Sequence, residues 1–81
     1  MSLERAMMRG RLAELQDERA KLILKGNGLC AAVRQGTNTA LIPFTDMDVP
    51  QLAQQMDELV MAWAELAKVG GDIARLEREL R

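Results

Sequence analysis

The chain has 81 residues, of which 48% are apolar and 28% charged, and its net charge is −1. That is one domain at most, too apolar to be disordered and too small to bury more than roughly 60% of its unfolded surface. One cysteine and no histidine exclude an internal disulfide and the usual zinc ligand sets, which leaves association as the remaining source of extra stability.

Phe44 and Trp63 are the only aromatics, and leucine, alanine and methionine dominate, so a mainly α-helical fold is expected. No charged-then-apolar leader opens the sequence, and no apolar run approaches the ~20 residues of a membrane span. The lone Cys30 fits a reducing compartment, so the expected location is the cytoplasm. Charge is split along the chain. Residues 1–25 carry six bases against four acids, a balance of +2, and residues 45–81 carry four against eight, a balance of −4. Opposite signs favour pairing the two ends with each other, although two solvated faces would give the same count.

Residues 3–25, LERAMMRGRLAELQDERAKLILK, read as a first helix. Met8, Leu12, Leu15 and Leu22 recur at spacings of four and three, with Arg19 in the remaining slot. Asp17 and Lys21 make a favourable acid-before-base pair one turn apart. KGNG then predicts the stop, with Lys25 at the negative helix end and Gly26 closing the final turn.

Residues 29–44, LCAAVRQGTNTALIPF, lose the helical period. Two apolar runs around RQGTN predict a short β-hairpin, with Pro43 at an edge or strand end; an apolar loop is the competing reading. The segment assigned to this hairpin or loop is 26–46. An isolated two-stranded hairpin is marginal in water, so it is expected to pack on the helices or on another chain.

The second helix, 48–80, has the clearest start. Asp48 and Gln51 fit a capping box, Met47 and Leu52 a hydrophobic staple, and Pro50 sits in the first turn. A heptad follows. Leu52, Leu59, Leu66, Ile73 and Leu80 fill every d position, and Met56, Trp63, Gly70 and Glu77 take the a positions. Ala62, Val69 and Leu76 widen the stripe on one flank, and Val60, Ala67 and Ala74 on the other. A stripe this wide suits a helical bundle better than a two-stranded zipper. In LAKVGGDI, Ile73 and Leu80 hold the register set by Leu52, which predicts one continuous helix through Gly70 and Gly71. The alternative is a break, with Asp72 capping a separate last helix.

No residue pattern points to catalysis. The commonest general base is absent, and Cys30 has no histidine beside it, so it reads as a buried or half-buried structural thiol. GNG at 26–28 follows a helix and lacks the Walker spacing. Asp46 and Asp48 lack a calcium-loop pattern. Arg5 and Arg9 lie on neighbouring turns and are the candidate nucleic-acid contacts, but acids intersperse the basic residues and no stacking aromatics accompany them. Met7, Met8 and Met61 are candidate partner contacts. Trp63 is the best single anchor for a subunit interface.

The expected architecture is an antiparallel helical hairpin, coiled-coil-like, with a β-hairpin or apolar loop between the helices, associating into a bundle. The longer second helix would leave Gly70, Ile73, Leu76 and Leu80 overhanging as the association surface. The full stripe of Leu52, Met56, Leu59, Trp63, Leu66, Gly70, Ile73 and Leu80 is assigned to self-association. The expected role is a small non-enzymatic interaction or scaffold protein, without cofactor or metal. Its partner is itself, as dimer or tetramer, with another protein second and neither nucleic acid nor membrane expected. Two helices joined by a β-hairpin resemble the prefoldin subunit plan, and that resemblance implies a holdase chaperone as an alternative. A nucleic-acid-associated regulator using the basic side of the first helix is the other.

Overall fold

The structure, a computed structural model, describes residues 2–81. Two long helices make almost all of it: α1, Leu3–Gly36, and α2, Val49–Leu80, joined by a connection with a 3₁₀ turn at Phe44–Asp46. They pack against each other as an antiparallel hairpin of 63 × 16 × 15 Å. The mainly α hairpin is as expected.

The first helix does not stop at Lys25. It runs on through Gly26 and Gly28 to Gly36, and the described residues contain no strand. The expected β-hairpin is therefore corrected, and with it goes the feature on which the prefoldin resemblance rests. The reason lies in the seam. Arg5, Met8, Leu12, Leu15, Arg19 and Leu22 step by three and four, and Gly26, Leu29, Val33 and Gly36 continue those steps without a slip. Leu29 and Val33 are half-buried along this line. Interior glycines cost about 1 kcal/mol each, which continued side-chain burial at Leu29 and Val33 can offset.

Thr37 ends α1, its hydroxyl donating to the Val33 carbonyl at 2.7 Å and its amide to the same oxygen at 3.0 Å. The Asn38 side chain then accepts from the Ala40 amide at 3.0 Å, and the Asn38 carbonyl accepts from Leu41 and Ile42. These local bonds turn the chain, leaving Leu41 and Phe44 exposed at the tip. The second start is as the sequence predicts: Asp48 accepts from the Gln51 amide at 3.1 Å, with Pro50 in the first turn.

The second helix is continuous through Gly70 and Gly71, and Asp72 pairs with Arg75 inside it at 3.3 Å. With 34 residues in α1 and 32 in α2, the helices match in length, and their ends are level. Gly36 lies against Leu52 at the tip, and Arg5 reaches Leu80 at the open end. The expected overhang does not exist. Ile73 and Val69 instead pack with Leu15 in the core, flanked by Leu12, Leu22 and Leu76.

Candidate association surface

The d positions of α2 face α1: Leu52, Leu59, Leu66 and Leu80 are half-buried and Ile73 is buried. The flank that joins them in the seam is Ala62, Val69 and Leu76, with Ala62 and Val69 both buried. The residues read as a positions point elsewhere. Trp63 is 70% exposed, Met56 44%, and Gly70 is half-buried beside the seam. The facing stripe is thus rotated by one helical row from the sequence reading. Of the eight residues assigned to self-association, five belong to the intramolecular seam and three to an outer face.

That outer face is continuous across both helices. From α1 come Ala6, Ala13, Ala20, Ile23, Asn27 and Cys30, at heptad positions on one side of the seam. From α2 come Met56, Val60, Trp63, Ala67, Gly70 and Ala74, on the same side of an antiparallel pair. Side-chain contacts agree: Ile23, Asn27 and Cys30 line one shallow groove with Leu59 and Trp63, about 210 Å³ in volume, and Cys30, Val60 and Trp63 line the next. Cys30 is exposed there, not buried as expected.

Charge divides the two sides of the hairpin. The Trp63 side carries Arg9, Arg34, Glu77 and Arg81, all toward the ends. The opposite side carries Glu4, Arg11, Glu14, Glu18, Lys21 and Lys25 on α1, and Glu58, Glu65, Lys68, Asp72, Arg75 and Glu79 on α2. Three of its ion pairs are local to one helix: Arg11–Glu14, Asp17–Lys21 (Asp17 on the adjoining outer row) and Asp72–Arg75. An amphipathic hairpin with a central seam needs only that seam apolar. A second apolar side is surplus to its own folding.

Surface area gives the scale of that surplus. A compact monomer of 9.0 kDa exposes about 4,900 Å², whereas this hairpin exposes 6198 Å². Its radius of gyration is 18.3 Å, against about 12 Å for a compact chain of the same length. Only Leu15, Ala62, Val69 and Ile73 are buried apolar residues among those described.

The candidate nucleic-acid contacts differ in their surroundings. Arg5 is half-buried, its Nη2 donating to the Leu80 carbonyl at 2.7 Å, while Arg9 is exposed one turn away. Arg11 and Lys21 are engaged with Glu14 and Asp17. Met7 and Met61 are exposed, and Met7 and Met8 line a separate hollow with Leu3 and Leu76 at the open end. Among the described residues no three His, Cys, Asp or Glu side chains gather as a metal-binding group, and no helix is long and apolar enough to cross a membrane.

Sequence reasoning put Trp63 in the row facing a neighbouring helix, and within the hairpin that row is turned outward. The signal for the outer face was present: Ala6, Ala13 and Ala20, and Ala53, Val60, Ala67 and Ala74, recur every seven residues on the rows beside each seam. Compared with protein-family models, curated proteins and solved structures, the chain matches none.

Proposed function

We propose that this chain is a non-enzymatic interaction protein that works by self-association, two or more hairpins forming a helical bundle that presents or joins other components. The observation that carries the reading is the uncharged face around Trp63, set on a hairpin that exposes about 1,300 Å² more than a compact chain of its mass. Standard protein interfaces bury about 800 Å² per partner, so the excess is more than one such interface would remove. Contiguous exposed apolar residues such as Met56, Val60 and Trp63 are a feature of interaction sites.

Sedimentation at micromolar concentration tests it. The expected mass is a multiple of 9.0 kDa, with Trp63 emission shifting to the blue as concentration rises. A helical monomer at all concentrations overturns the reading.

A further inference from the structure

The Trp63 face is not uniform along its length, and its gradient specifies how a second copy fits. Toward the tip it is bulky, with Ile23, Met56, Val60 and Trp63. Toward the open end it is shallow along α2, with Gly70 and Ala74, and on α1 it carries Ala6 and Ala13 beside Arg9 and Gln16. Two copies laid face to face with tips together would set bulky half on bulky half, Trp63 over Ile23 and Cys30 of the second copy, and leave facing hollows at the alanine end. Turning one copy end for end places each bulky half on the other's shallow half.

We propose that two copies pair through this face about a two-fold axis perpendicular to the long axis, with tips at opposite ends and Trp63 of each copy seated over Gly70 of the other. This rests on the self-association reading above. The axis then passes close to Ala67, about two residues from the middle of α2, so the hairpins overlap over nearly their full length at 1.5 Å per residue. Ala20 of α1 lies at the same level, and alanine on both helices lets the backbones approach closely. Gly70 acquires a reason on this arrangement. Within one chain an added Cβ there meets nothing within 4 Å, so the hairpin itself has no need of glycine.

The test separates orientation from association. A spin label at Thr39, on the exposed tip, is introduced as Thr39→Cys in a Cys30→Ala background, and the inter-copy distance is measured alongside the mass. A tip-to-tip separation close to the 63 Å length supports the end-for-end pair. A separation nearer the 16 Å width overturns it while leaving self-association standing, and a monomeric mass without inter-copy coupling overturns both. Gly70→Leu supplies a second readout, with Gly71→Leu as its control, since both positions are open within the chain. Filling the hollow weakens dimerisation roughly ten- to a hundredfold, with helix content retained, and Gly71→Leu leaves it unchanged. Equal affinity for the two variants overturns the seating of Trp63.

Discussion

Arg5 and Leu80 close the open end of the hairpin: the guanidinium Nη2 donates to the Leu80 carbonyl at 2.7 Å across 75 positions of sequence. The last carbonyls of a helix lack partners within it and carry its partial negative charge. A half-buried cation there answers both. Arg5→Ala is expected to lower stability by about 1 kcal/mol in urea unfolding, with Arg5→Lys recovering part of the loss. An unchanged midpoint would mean the two ends fray independently of this contact.

The short core concentrates stability in few side chains. Leu15 is 2% exposed and packs on Val69 and Ile73. Its replacement by alanine is expected to remove about 3 kcal/mol, a large share for a chain this small. Circular dichroism during denaturation reads the loss.

Seam and face are separable by mutation. Ile73→Asp buries an unpaired carboxylate and is expected to unfold the hairpin, because Ile73 is buried among core residues. Leu66→Asp acts in the same direction at a half-buried position. Trp63→Glu is expected to keep the helical spectrum and reduce the mass to one chain, as the indole is mostly exposed in the single hairpin. Sedimentation of both variants beside their spectra distinguishes the two roles. Loss of helix in Trp63→Glu would place the tryptophan in the fold after all.

Gly28 lies inside α1 with nothing within 4 Å of an added Cβ, on the side away from the Trp63 face. Gly28→Ala therefore gains helix propensity without a clash, and is expected to raise stability by about 1 kcal/mol. A lower melting temperature would indicate that the glycine serves a contact outside this hairpin.

Surface ion pairs contribute little. Arg11–Glu14 and Asp17–Lys21 join exposed side chains three and four residues apart on one helix. Lys21→Ala is expected to shift unfolding by no more than about 0.5 kcal/mol, and added salt to leave the hairpin folded. Strong salt sensitivity of the melting curve would point to charge pairing between copies.

How legible this was depended on how far each feature reaches along the chain. The start of α2 was legible because Asp48, Pro50 and Gln51 act within one turn of each other, and the Asp48 cap is made as read. The Asp17–Lys21 pair was legible for the same reason. The end of α1 was not. Gly26 and Gly28 carry a local stop signal, but Leu29 and Val33 keep the seam's spacing and lie along α2, where burial outweighs the glycine penalty. A search for the 3-4 spacing across the glycines, rather than up to them, would have found it.

Residue type and spacing alone indicated that this chain forms helices and where α2 begins, features that arise within a turn or two; the heptad register held from Leu52 to Leu80 favoured continuity through Gly70 and Gly71 over a break, and the structure decided it. Tertiary packing decided where α1 ends and which flank of α2 it covers. Both flanks are apolar, so periodicity cannot choose between them; the contact between helices can. Ala62 lets the helix axes come near, whereas an indole at Trp63 would hold them apart, and interhelical distances of about 8–10 Å favour the smaller side chain. The bulky row is thereby turned outward, and the surface left for a partner is set by what the hairpin had no room to cover.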